Sequence, residues 1–294
     1  MTPETAAVDA VLRSTRSVRK ALDLDRPVDH HLVLECIDLA EQAPTGGNIS
    51  SRRWMVVRDP AVRGALADIY RRAGGDGIIE LAGRLRGTGH ASERVMASGA
   101  YLAERLQDVP VVVIACIWGV HDNSGKPGLF DSVLQSAWSF CLAARARGLG
   151  TAWTTLHLSR AQEVADLLGI PDGVTQVVLL PLAHTTKQEF RAAERRPAAE
   201  ITYVDRWGHV VRGDGSDGAV FETDLDAPLR SVRAALEQHP AADAGLEVQL
   251  EPIGRRVRLR VLSAGPVPPA ALRSTLELLA SYAERIRSAS QTSG

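Results

Sequence analysis

The run Val111-Val112-Val113-Ile114-Ala115-Cys116-Ile117 constrains this chain more than any other stretch of it. A strand with one wet face alternates apolar and polar residues, and this run does not. Branched apolar residues dominate it, so it reads as a central strand covered on both faces. Val174 to Leu182 and the short Trp54-Met55-Val56-Val57 have the same buried character.

Helical patterns fall between these strands. Residues 29–42 place Leu32, Val33, Cys36, Ile37 and Ala40 on one face, with Asp29 as N-cap and Val28 and Val33 as a hydrophobic staple. Asp59-Pro60 caps and starts a second helix, with Val62, Leu66, Ile69 and Tyr70 inward. A third is expected around 93–107. In the fourth, Phe130, Val133, Leu134, Ala137, Trp138, Cys141 and Leu142 follow helical spacing, and Gly148 is a natural stop. Its apolar length predicts a central place. Ser159 and Gln162 read as a capping box for a short helix that ends near Gly169-Ile170-Pro171. Residues 74–92, rich in glycine and charge, read as a mobile or loosely helical excursion, either a surface loop or a lid. Interleaved helices and covered strands imply a layered α/β or α+β sandwich.

Near Arg212-Gly213-Asp214-Gly215-Ser216-Asp217-Gly218 the composition changes to that of a linker. A strand at 219–224 follows, then Asp226 as the N-cap of a helix to about Gln238. Leu246, Val248 and Leu250 alternate with Glu247, Gln249 and Glu251; after Pro252-Ile253-Gly254, Val257, Leu259 and Val261 alternate with Arg256, Arg258 and Arg260. This is a hairpin with one apolar and one charged face. A helix is expected from Pro268 to Ile286, and a disordered tail from Ser288 to Gly294.

A net charge of −1 gives no electrostatic reason for a nucleic-acid or anionic-membrane partner. No apolar run reaches membrane-spanning length, and Met1 to Ala10 is polar, so a cytoplasmic protein is expected. Cys36, Cys116 and Cys141 lie in apolar, periodic surroundings and read as buried structural thiols. The histidines are scattered, and no metal site is expected.

Two segments carry candidate chemistry. Arg16 and Arg19, three residues apart around Ser17, suit a phosphate clamp, because guanidinium forks match phosphate oxygens; they equally suit a solvated basic face. In Ala43-Pro44-Thr45-Gly46-Gly47-Asn48 the proline ends a helix, and the glycines let the backbone lie against a flat ligand. Asn48 offers donors and an acceptor to a polar heterocycle. The segment also suits an ordinary helix-to-strand turn. Glu194-Arg195-Arg196-Pro197 supplies more cations, and Gly148-Leu149-Gly150-Thr151 can present amides and hydroxyls at the end of the long helix. No dinucleotide fingerprint, Walker A motif or serine-hydrolase elbow occurs.

In this order, these segments resemble the FMN-dependent nitroreductase family. The likeness runs from about Val11 to Gly208, through Arg16-Ser17-Val18-Arg19, Ala43 to Asn48, Leu142 to Thr151, Gly169-Ile170-Pro171, Arg195-Arg196-Pro197 and Asp205-Arg206-Trp207-Gly208. The residue pattern gives a linker at 213–218 and a small C-terminal α+β module of order β-α-β-β-α over 219–294, and the likeness implies an α+β, three-layer α-β-α sandwich over residues 1–212. It also implies a homodimer with FMN at the subunit interface. Arg16, Ser17 and Arg19 would hold the phosphate and ribityl chain, with Arg195 and Arg196 adding to the grip. Asn48 would meet the pyrimidine edge of the flavin. Pro44, Thr45 and Gly46 would line the flavin of the partner subunit. Thr154, Thr155 and Leu156 would lie near the reactive side of the ring; His157 is left open as a structural residue.

The activity implied is ping-pong: NAD(P)H passes hydride to the flavin, and a nitroaromatic, quinone or activated alkene takes the electrons. No side-chain acid or base is nominated. Alternatives are a flavin-dependent dehydrogenase or oxidase of a natural product, or a non-catalytic FMN-sequestering protein. Three departures matter. Where family members often continue Asn-x-Gln-Pro-Trp, this chain has Asn48-Ile49-Ser50-Ser51-Arg52, so Ser50 replaces a glutamine at the flavin edge. Arg52 places a cation there, facing an anionic ligand or solvent. A Gly-Tyr-Pro after the last core strand reads Ala183-His184-Thr185, and the C-terminal module matches no family known to us.

Overall fold

Strand β2 (Val111–Trp118) is buried along all but its last residue. Val111, Val113, Ala115 and Ile117 enter one core cluster, and Val112, Ile114 and Cys116 enter another on the opposite face. That division is what an unbroken apolar strand requires. Its partners are β1 (Arg52–Val57) and β4 (Val174–His184), and β3 (Leu149–Thr151) extends β4 on the far side. The order is β1-β2-β4-β3, antiparallel throughout.

The computed structural model describes residues 2–119, 128–195, 197–198, 201–205, 209–211, 217–225, 233, 246–253 and 256–263. Contacts divide the chain into two compact units, Met1–Ala193 and Glu194–Gly294.

In the first unit, α1 (Pro3–Ser14), α2 (His30–Ala40), α3 (Pro60–Tyr70), α4 (Asp76–Leu85), α5 (Glu93–Arg105), α6 (Gly128–Ala146) and α7 (Ala161–Leu168) surround the sheet. Helices α2 and α6 supply Val33, Cys36, Ala137 and Phe140 to one face. Helices α3, α5 and α7 supply Leu66, Leu102 and Val164 to the other. Asp29 and Asp59 cap α2 and α3 through their carboxylates. Gly169, at φ 67°, ends α7 in the left-handed form that glycine adopts readily. The three cysteines are free and buried, and burial raises their thiols to about 11, 12 and 11 for Cys36, Cys116 and Cys141. No helix among the described residues is long and apolar enough to cross a membrane.

Two local expectations change. The excursion at 74–92 is ordered: a π-helical turn at Arg71–Gly75 leads into α4, which packs on α5. Asp76 at its start and the apolar Ile78, Ile79 and Ala82 give α4 an amphipathic face that the glycine count hid. Ser159 is not an N-cap. It lies within a 3-10 turn, Leu156–Arg160, and its hydroxyl donates to the carbonyls of Ala73 and Leu156, each at 3.1 Å.

The second unit contains β5 (His209–Val211), β6 (Asp217–Leu225), β7 (Leu246–Ile253) and β8 (Arg256–Ser263), in the order β5-β6-β8-β7. The expected hairpin is β7–β8, with Glu251 opposite Arg258 in register. Asp217 and Gly218, read as linker, open β6. Residues 212–216, the expected helices (except Arg233) and the tail lie outside the described residues.

Candidate functional site

The clamp segment is held along the end of the sheet. Val18 N donates to Thr151 O at 2.7 Å, Asp23 N to His184 O at 2.8 Å, and Thr186 N to Ala21 O at 2.9 Å. Val18 and Leu22 turn into the core. Arg16, Ser17 and Arg19 are thereby left on the other side, where they line a cleft of about 740 Å³. Gly150 permits this approach: a Cβ there would lie 2.7 Å from Thr185 Cγ2 and 3.0 Å from Val18 Cβ. The amides of Gly148-Leu149-Gly150-Thr151 are therefore largely spent on the sheet, and this segment carries the clamp instead of meeting a ligand itself.

Three walls form the cleft: the clamp, the first turns of α5, and the segment after β4. Besides Arg16 and Arg19, Lys20, Arg94, Lys187 and Arg191 line it, against the carboxylates of Glu93 and Glu189. The excess of positive charge suits an anionic ligand. Arg145 at the end of α6 braces two walls. Its Nε donates to Ser14 Oγ and its Nη2 to Gln188 O, each at 3.1 Å, and its guanidinium lies 4.7 Å from the Phe190 ring centroid. Arg16 Nε is buried with no hydrogen-bond partner among the described residues. A buried guanidinium N–H is costly to leave unpaired, so a cleft that strands one fits a phosphate group.

The second predicted segment is an exposed loop outside this cleft. Pro44, Gly46, Asn48 and Ser50 are exposed and Thr45 is half-buried. Gly47 and Asn48 both adopt left-handed backbone, at φ 61° and 56°. Gly46 N donates to Ser132 Oγ of α6 at 2.9 Å. The Ser50 carbonyl accepts from Arg53 Nη1 at 3.2 Å. Arg52 does not face solvent: it is 5% exposed, its guanidinium donates to the carbonyls of Ala40 and Ala43, and the anion beside it is Glu41, 3.8 Å from its Nε. A strand that starts against the end of a helix turns this side chain inward, whatever its charge.

Thr154 pairs with Leu179 through its backbone, and its hydroxyl lies 2.8 Å from Tyr70 Oη. Burial pushes the Tyr70 phenol up, with the hydrogen bond to Thr154 and the charge of Arg19 opposing it. Thr155 is exposed. Leu156 packs on the core, and a Cβ at Gly74 would touch its side chain at 3.2 Å. His157 is fully buried, neither ring nitrogen has a partner among the described residues, and burial pushes its pKa down to about 4. Arg195 belongs to the second unit, where Nη1 donates to the neighbouring Glu194 carbonyl at 3.1 Å. Arg196 lies outside the described residues. Sequence reading missed Tyr70 as a partner of Thr154, because it sits on an ordinary apolar face. It also missed Arg94, Lys187 and Arg191, whose mixed-charge surroundings carry no periodic or motif signal.

Residues 12–184, more than half of the chain, match the model of the Nitroreductase family. The chain belongs to that family. Among solved structures, it resembles an oxidized iodotyrosine deiodinase bound to FMN and 3-iodo-L-tyrosine, at 15% identity and a TM-score of 0.53, over 67% of this chain and 100% of that one. It also resembles nitroreductase A from Vibrio parahaemolyticus, at 16% identity and 0.51, over 79% and 82% of the two chains. A third is the FMN- and NADPH-dependent nitroreductase NfnB from a Sphigopyxis strain, at 19% identity and 0.51, over 68% and 99%. At such identities the likeness is one of fold.

Proposed function

We propose that this chain is an FMN-dependent oxidoreductase that takes electrons from NAD(P)H and delivers them to a small organic acceptor such as a nitroaromatic, a quinone or an activated alkene. Family membership supports a flavin oxidoreductase in general. The observation that carries the reading further is the buried, unpartnered Nε of Arg16 in a cleft of cations.

Arg16, Ser17 and Arg19 would hold the FMN phosphate and ribityl chain, and Lys187 and Arg191 stand on the opposite wall to add to that grip. Thr154 and Thr155 would border the ring, with the Thr154 hydroxyl oriented by Tyr70. Bound FMN would supply the redox chemistry, accepting electrons from NAD(P)H and passing them on. The chain's part is to bind it, fix its plane and offset negative charge through the clustered guanidinium groups.

A site shared by two copies of the chain fits three observations. Helix α1 buries no residue within its own chain, yet exposes Val8 and Leu12. An isolated helix of that length is marginal in water and needs a packing partner. Helices α2 and α6 expose Leu39, Leu134 and Trp138. Finally, the loop touches α6 at Ser132 and the clamp's lead-in touches it at Arg145, thirteen residues on; that is a rise of about 20 Å. Loop and cleft thus sit towards opposite ends of one helix, as expected if each serves a different flavin.

Stopped-flow mixing of the FMN-loaded protein with NADH or NADPH tests the reading. Rapid loss of the flavin's visible absorbance, restored by a quinone or nitroaromatic, is the expected result. Bound flavin that neither nicotinamide bleaches would refute the NAD(P)H assignment.

A further inference from the structure

Arg52 opens β1, and its side chain is only 3% exposed. Nη1 donates to the Ala40 carbonyl at 3.2 Å, and Nη2 to the Ala43 carbonyl at 2.6 Å. Ala40 ends α2, where carbonyls lack intrahelical donors and the helix dipole favours a cation. Ala43 is the residue before Pro44, so its carbonyl is the first acceptor of the loop. Glu41 stands 3.8 Å from Arg52 Nε and is itself held: Trp54 Nε1 donates to it at 2.9 Å, and Ser136 Oγ lies 3.3 Å away. Ser136 Oγ also donates to the Ala40 carbonyl at 2.9 Å.

The loop is therefore tied at two points. Arg52 fixes the Ala43 carbonyl to the sheet, and Ser132 fixes the Gly46 amide to α6. Immediately beyond come Gly47 and Asn48 in consecutive left-handed conformations. Such backbone is uncommon for a non-glycine residue and persists where its surroundings over-determine it. An apolar side chain would fill this buried position without the desolvation cost of a charge. What arginine adds is a rigid fork with two directed bonds, which lysine cannot reproduce.

We propose that Arg52 is a positioning residue for the cofactor: by gripping the Ala40 and Ala43 carbonyls it holds residues 43–48 in the form that presents Asn48 to the flavin. This rests on the FMN reading above. Burial of the guanidinium removes it from any role as a substrate anchor.

The test measures FMN dissociation constants by fluorescence titration of the apo-protein, with thermal melting of the same apo-proteins, for wild type, Arg52→Met, Arg52→Lys and Ser132→Ala. If releasing the loop leaves its binding form populated about one time in ten, the apparent dissociation constant rises about tenfold. The expected order is wild type tightest, Arg52→Lys intermediate and Arg52→Met weakest. Ser132→Ala should weaken binding without leaving a buried charge unpaired, and its effect should add less than fully to that of Arg52→Lys. Limited proteolysis of the apo-proteins should show earlier cleavage between Gly46 and Ser51 in the variants. If Arg52→Met is insoluble, Arg52→Lys and Ser132→Ala carry the same comparison. Variants that melt lower yet bind FMN as tightly as wild type would overturn the positioning role alone. Wild type that fails to bind FMN would overturn both this role and the function it rests on.

Discussion

Replacing Gly150 by alanine probes the link between sheet and clamp. Strand β3 passes so close to the clamp that a Cβ would sit 2.7 Å from Thr185 Cγ2 and 3.0 Å from Val18 Cβ and Cγ1. Thr185 cannot simply rotate away, because its hydroxyl donates to Gly148 O at 3.2 Å and to Lys187 O at 2.8 Å. Val18 cannot retreat either, being 4% exposed and bonded through its amide to Thr151 O at 2.7 Å. The added methyl must therefore push the clamp outward. Overpacking of this kind costs about 1–3 kcal/mol. For a unit of this size, that lowers the melting temperature by about 2–12 °C. Because Val18 lies between Ser17 and Arg19, the shift also misaligns the proposed phosphate grip. Loss of one charge-assisted hydrogen bond, about 1.5 kcal/mol, raises the FMN dissociation constant about tenfold. Calorimetry of the apo-protein and FMN titration measure the two effects. A variant that melts and binds like wild type would refute the close-packing argument. One that melts lower but binds FMN unchanged would refute the coupling between Gly150 and the clamp.

Other expectations follow from single residues. Arg19→Ala should purify with little or no flavin, its affinity reduced about tenfold to a hundredfold by the loss of a charge-assisted hydrogen bond; full occupancy by absorbance would contradict the phosphate assignment. His157 is held neutral in the folded state by burial, with a pKa near 4 against an ordinary value of 6.5. The unfolded chain binds that proton first, so the contribution is complete above about pH 6.5. It declines as the pH falls towards 4, by on the order of 3 kcal/mol in all. Denaturant titrations should show this loss in wild type and a flatter profile in His157→Gln; equal slopes would refute it.

Much of the fold could be read in advance where one residue pattern admits one environment. The unbroken apolar run of β2 could only lie between two layers, and its residues divide between two clusters. Asp29 and Asp59 cap helices because their carboxylates reach free amides two or three residues on. The misread positions are those whose partner is remote in sequence. Ser159 had a capping-box spacing, but the Ala73 carbonyl, 86 residues away, was the available acceptor. Arg52 read as a cation facing an anionic ligand or solvent, because nothing local shows that the end of α2 lies above it. The clamp arginines were visible as a motif. The cations across the cleft were not, since only the fold brings α5 and the segment after β4 to the same opening.

The central claim is that this cleft holds FMN. Purified protein incubated with FMN and desalted should retain the two visible absorbance bands of a flavin, with a shift from the free spectrum and one flavin per chain, and Arg16→Ala should lose them. A colourless wild-type protein that takes up no FMN under the same treatment would contradict the account.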